Sequence, residues 1–312
     1  MNEFELIRNL IPNLHQNSSV ILGAGDDCAV LDLGIPDRLV LFKTDAVVEG
    51  VHFTRKTPPE KIGRKALARA LSDIAAMAGR PTAALVTIGL PGSIEESLVH
   101  QIYEGINAIA KEFDVAVAGG ETTTSPEAVF ISISLIGTIN RHRVIPRNGA
   151  QPGDAIFASG ELGGSISGRH LDFTPRIKEA CWLAENFSIH SMMDLSDGLA
   201  GDLRHILHGS KVGAELLASA IPISRAAKIN ARGESNAKSP LLAALTDGED
   251  FELLFTVAPG NAVSVLDGWK TKFPGVKLSC IGRITASPGL RIRDKDGLRE
   301  LHAHGYTHFE NS

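Results

Sequence analysis

Apolar and polar positions alternate along this chain in two periods, and carboxylates recur where the periods break. Phe130-Ile-Ser-Ile-Ser-Leu-Ile alternates apolar and polar, the pattern of a half-buried strand. Ile62, Ala66, Leu67, Ala70, Leu71, Ile74 and Met77 recur at helical spacing instead. They predict a long helix opened by Pro58-Pro59 and ended by Gly79 and Pro81. Lys61, Arg64, Lys65 and Arg69 should cover much of its remaining surface, with Asp73 one turn after Arg69 as in a surface ion pair. A short amphipathic helix is expected over 3–10, stopped by Pro12, and strands over 29–31, 39–44, 84–90 and 115–118. Ser93 with Glu96 reads as a capping box that opens a helix to about Phe113.

Asn148-Gly-Ala-Gln-Pro-Gly153 is punctuated by Gly and Pro and reads as a linker. Beyond it a strand is expected over 154–159 and helices near 175–187 and 198–209. Strands at 213–217 and 249–257, a further helix and a strand at 276–284 complete the expected set. The 312 residues suffice for two domains, 1–147 and 148–312, each with a core.

Composition narrows the function classes. Hydrophobic residues make up 43% and mean hydropathy is +0.05, which excludes extensive disorder. A net charge of −5 without a basic block argues against nucleic acid as a partner. No apolar run approaches the roughly 20 residues of a membrane span, and the N-terminus resembles no signal peptide. Cys28, Cys181 and Cys280 are odd in number and far apart, as reduced thiols would be. The expected location is the cytoplasm.

The carboxylates carry the chemistry. Gly23-Ala-Gly-Asp-Asp-Cys-Ala-Val-Leu31 sets Asp26 and Asp27 between a glycine-rich turn and an apolar strand. The layout returns at Thr44-Asp45, Ser72-Asp73, Gly119-Gly-Glu121, Asp194-Leu-Ser-Asp-Gly198 and Gly248-Glu-Asp250. So many acids beside apolar runs call for a compensating cation. Magnesium uses one or two carboxylates per ion, so Asp27, Asp45, Asp73, Glu121, Asp194 and Asp197 exceed the need of one ion and suit several bridging a polyphosphate. There is no His-Glu-x-x-His, no paired cysteine motif, no phosphate-binding Gly-x-x-x-x-Gly-Lys-Ser/Thr loop and no protein-kinase catalytic loop. Gly163-Gly164-Ser-Ile-Ser-Gly168 is a lone glycine-rich candidate for phosphate contact, and His205 with His208 reads as a solvated helix face. Acidic motifs in both halves suggest related halves or a site at the domain junction.

Six motifs stand in order: Gly-Asp-Asp-Cys-Ala-Val-Leu, Thr-Asp-Ala-Val-Val-Glu-Gly-Val-His-Phe, Leu-Ser-Asp-Ile-Ala-Ala-Met-Ala, Gly-Gly-Glu-Thr-Thr, Met-Asp-Leu-Ser-Asp-Gly-Leu and Gly-Glu-Asp-Phe-Glu-Leu-Leu-Phe. Together, over about residues 4–309, the chain resembles the thiamine-monophosphate kinase family, within the aminoimidazole-ribonucleotide-synthetase-like ATP-binding superfamily. The resemblance implies an α/β (α+β) fold of two domains, an N-terminal mixed sheet with helices and a C-terminal α/β domain, with N-terminal domains paired in a homodimer. It implies phosphorylation of thiamine monophosphate by ATP with Mg2+. By motif position it makes Asp27, Thr44, Asp45, Asp73, Glu121, Asp194 and Asp197 metal ligands. Tyr103, Gly120, Glu121, Arg147 and Ser196 match nucleotide contacts, and His52, Glu249 and Tyr306 line the substrate.

Three features depart from the family pattern. Glu121 replaces the usual Asp, Lys43 stands where a small or apolar residue is usual, and the chain is shortened near Gly168–His170. A related enzyme activating another acceptor, or a non-catalytic nucleotide-binding relative, is the alternative reading. A phosphate-monoester acceptor has a second pKa of about 6 and is already largely dianionic, so no general base is required. Direct in-line transfer follows, with His52, His170 and His190 the residues that could support a covalent route instead.

Overall fold

The computed structural model describes residues 3–233 and 237–306. After α1 (Glu3–Leu10), the first half forms β1 (Val20–Leu22), β2 (Ala29–Leu31), β3 (Arg38–Val48), α2 (Pro59–Ala76), β4 (Arg80–Leu90), α3 (Glu96–Glu112), β5 (Ala116–Thr124) and β6 (Phe130–Asn140). Its sheet runs β1-β2-β3-β6-β4-β5, antiparallel except for the parallel β4–β5 pair. A parallel pair needs a crossover, and α3 supplies it.

Period two decides which side chains face α2. Leu39, Leu41 and Val47 of β3 and Ile131, Ile133 and Leu135 of β6 are buried. The opposite face leaves Phe42, Leu85 and Ile136 exposed. The register from Arg38↔Asn140 to Val48↔Phe130 is unbroken, so the inward row of β3 also contains Lys43 and Asp45. Asp45 therefore lies inside a longer strand than the pattern predicts, rather than at its end.

The second half comprises β7 (Ala155–Ser159), α4 (Ile177–Asn186), β8 (Ile189–Asp194), α5 (Leu199–Ser210), β9 (Gly213–Leu217), α6 (Arg225–Asn230), α7 (Pro240–Thr246), β10 (Leu253–Val257), α8 (Ala262–Lys272), β11 (Leu278–Thr285), β12 (Gly289–Asp294) and β13 (Gly297–Glu300). Its sheet runs β13-β12-β9-β11-β7-β10-β8. The sequence reading misses β8, β12 and β13. It also starts β10 too early, because residues 249–252 are irregular, with positive φ at Glu249 and Phe251.

Helix α2 joins the halves. The predicted stripe is buried, but so are Lys65, Ala68, Ser72, Asp73 and Ala75. The first sheet and α3 pack on one side of it, and α4 and β8 of the second half on the other. One core runs through it, from Ile133 and Leu71 to Phe157, Phe255 and Trp269, and a second gathers Leu199, Leu203, Leu254 and Ile281. Burial on all sides overturns two surface expectations. Lys65 is wholly buried, and Asp73 pairs with Lys43 while Arg69 turns to Asp45. The expected capping box is also absent: α3 starts at Glu96, and the side chain of its cap residue Glu95 accepts no backbone amide of the helix.

Candidate active site

Three carboxylates from separate elements meet where the halves join. Asp27 precedes β2, Asp73 opens the last turn of α2, and Asp194 closes β8. One oxygen from each lies within 4.8 Å of the others, and all three residues are buried. The chain answers part of this charge itself. Arg147 grips Asp27 with two nitrogens, at 3.2 and 2.5 Å. Lys43 Nζ is 2.9 Å from Asp73, and the Ser72 hydroxyl donates to Asp194 at 2.6 Å.

Burial drives the Asp73 pKa well above the carboxylate range, Lys43 opposing the shift and Asp194 adding to it. Burial, then the charge of Asp27, lifts Asp194 to about 6. Asp26 also rises to about 6, through burial and the adjacent Asp27, although the Arg147 and Asp27 amides donate to it. Carboxylates that repel one another out of water are a donor set suited to a hard divalent cation.

A row of alternating charge leads away from the trio. Arg69 Nε donates to Asp45 at 3.0 Å, and its Nη1 lies 3.8 Å from Glu249. Glu249 pairs with the buried Lys65, whose ammonium also donates to the His52 carbonyl at 2.7 Å. Arg69 stands 6.0 Å from the ring centroid of Phe251, which stacks on Phe173. His52 Nδ1 accepts the Val48 amide, so its other nitrogen carries the proton in the neutral ring.

Main-chain bonds set the second-half loops. Glu249 and Phe251 amides donate to the carbonyls of Ser196 and Leu195, and the Tyr306 amide donates to Asp197. Exposed Tyr306 is thereby held against the Asp194–Gly198 loop. Buried Asp202 accepts the amides of Asp197 and Gly198, fixing the loop from beneath. Lys65 and Arg69 were missed as site residues because helical spacing alone assigns no partner across the domain junction, and Asp202 because its role is to hold the Asp197–Gly198 backbone.

The remaining candidates are spread more widely. Tyr103 is half-buried on α3. Gly120 lies on β5 against β4, where an added Cβ would come 1.8 Å from the Val86 carbonyl oxygen. Glu121 is exposed on the same strand, outside the buried trio. Thr44 turns its hydroxyl to the opposite face, 3.3 Å from Ser132, so only its main chain faces the cluster side. The glycine-rich loop is otherwise engaged, since Gly163 and Gly164 amides donate to Asp250 and Asp247. His205 is half-buried rather than on a solvated face, and burial pushes its pKa down to about 4.

Known proteins share this arrangement of elements. Residues 25–139 match the AIR synthase related protein, N-terminal domain, and residues 164–295 the corresponding C-terminal domain. Thiamine-monophosphate kinase of Rhodopirellula baltica is 39% identical over 283 residues, covering 88% of this chain and 87% of that protein. The chain belongs to the thiamine-monophosphate kinase family. The Escherichia coli K12 member is 34% identical over 98% of both chains. The solved structure of AaThiL complexed with AMPPCP and TMP superposes with a TM-score of 0.83, at 31% identity, covering 99% of this chain and 97% of that one. The α/β fold of two family domains expected from the six motifs is therefore shown.

Proposed function

We propose that the chain transfers the terminal phosphoryl group of ATP to thiamine monophosphate, giving thiamine diphosphate and ADP. The meeting of Asp27, Asp73 and Asp194 across the junction carries this reading, in a family whose AaThiL member binds AMPPCP and TMP. Asp27, Asp73 and Asp194 would hold Mg2+, with Asp45, Asp197, Glu121 and the main chain of Thr44 as further ligands. When bound, the metal supplies positive charge that offsets repulsion between two phosphate anions.

The residues of the chain do the positioning. Arg147, fixed on Asp27, presents a guanidinium beside the trio, where phosphate oxygens would gather. Tyr103, Gly120, Glu121 and Ser196 complete the proposed nucleotide contacts. His52, Glu249 and Tyr306 would line the acceptor, ordered by Lys65, Arg69 and the Asp197 carbonyl. The acceptor phosphate is already largely a dianion at neutral pH, so no residue need remove a proton. Direct in-line transfer is supported over a covalent route through His170 or His190, since His170 Nδ1 meets the Ser165 carbonyl and His190 Nδ1 meets Asp154.

The proposed division into 1–147 and 148–312 is supported by one sheet lying on each side of it. A homodimer pairing N-terminal domains is proposed because the outer sheet face exposes Phe42, Leu85 and Ile136 together. Light scattering should give twice the chain mass, and Ile136→Arg should give a monomer. A cytoplasmic location is the proposed setting, with neither nucleic acid nor membrane as a partner. The deciding assay supplies ATP, magnesium and thiamine monophosphate and follows thiamine diphosphate and ADP. ADP without thiamine diphosphate would point to another acceptor, and neither product to a binding protein.

A further inference from the structure

Lys43 occupies the inward face in the middle of β3, a costly place for an ammonium group. Its Nζ is 2.9 Å from Asp73 Oδ1, and its side chain is 24% exposed. A lysine ammonium paired with a carboxylate at this distance is a cation at neutral pH.

The pairing within the trio is uneven. Arg147 answers Asp27 and Lys43 answers Asp73, whereas Asp194 receives only the Ser72 hydroxyl. Arg147 enters from the segment after β6 and binds Asp27 through two nitrogens, its amide donating to Asp26. Lys43 enters along the sheet and sets its charge on the Asp73 oxygen itself. A divalent ion bound at that oxygen would have to sit beside an ammonium of like charge, or displace it. A small or apolar residue at position 43 would leave the oxygen free for a metal.

We propose that Lys43 is a built-in cation that takes the place of one divalent ion at Asp73, so that this chain assembles its phosphate site with one metal fewer. The inference rests on the magnesium-binding reading above. Lysine fixes the charge covalently, independent of the free metal concentration, and its donors can bond a phosphate oxygen directly.

Mn2+ binding to the full chain with AMPPCP, counted by electron paramagnetic resonance, tests this without turnover. Lys43→Met keeps length and removes charge, while Lys43→Arg keeps charge. Lys43→Met should bind one more Mn2+ per chain at saturation than the unchanged protein, and Lys43→Arg the same number. Because Lys43→Met leaves Asp73 unanswered, it should melt lower in chelator and gain more from Mn2+ than the unchanged protein does. Equal stoichiometry and equal metal-induced gains would overturn the proposal, as would a Lys43→Met chain that metal fails to refold. No Mn2+ bound to the unchanged protein would overturn the metal reading as well, which separates the two failures.

Discussion

Replacing Lys65 by Met removes the ammonium that ties the His52 and Glu249 loops to α2. The side chain is wholly buried, donates to the His52 carbonyl at 2.7 Å and pairs with Glu249, whose side chain is 20% exposed. Removing one partner of a buried pair costs about 3–5 kcal/mol, because the other charge is left unanswered. Glu249 keeps Arg69 at 3.8 Å and some access to water, so the lower end, about 3 kcal/mol, is expected. With a urea slope of about 3 kcal/mol per molar, suited to a chain of this size, the unfolding midpoint should fall by about 1 M at unchanged slope. Glu249→Gln added to Lys65→Met removes the stranded charge and should recover about half of the loss. The KM for the acceptor should rise in Lys65→Met, since both loops lose their anchor. An unchanged midpoint, or a double variant no more stable than the single one, would refute the claim that this pair holds the junction.

Further outcomes follow from the same geometry. Asp26 and Asp194 titrate near 6 when folded and near 3.8 when unfolded, so the folded chain holds more protons between about pH 4 and 6. Metal-free stability from these groups therefore falls as pH rises through that window and is level above it. Magnesium competes with those protons, so it should raise the melting temperature more at pH 7 than at pH 5; equal gains would contradict this. Glu121→Gln should lower turnover at least tenfold, about 1.4 kcal/mol of transition-state stabilisation, and Glu121→Asp less. An unchanged magnesium dependence in Glu121→Gln would remove this exposed residue from the ligand set. Gly120→Ala should cost about 1–3 kcal/mol, read as a lower melting temperature, because its methyl group would collide with the Val86 carbonyl. An unaltered melting temperature would mean that β5 shifts freely on β4.

The sequence carried the elements that short-range periodicity governs: the alternation of β6, the stripe of α2, the short α1, and most strands of the first sheet. It also placed acids in both halves, and ordered motifs sufficed to identify the family. Which of those acids meet was settled by the packing of the two halves. Asp27, Asp73 and Asp194 converge, while Glu121 stays outside on an exposed strand. Spacing along one helix made Arg69 the natural partner of Asp73, yet each found its partner on β3, Asp45 for Arg69 and Lys43 for Asp73. Periodicity reports which side of an element is apolar, whereas α2 is packed from both halves at once, and its polar positions turn to partners on β3, on β8 and at Glu249. Whether a charge is solvated or buried depends on what covers it, and here one side of α2 is covered by α4 and β8, more than a hundred residues further along the chain.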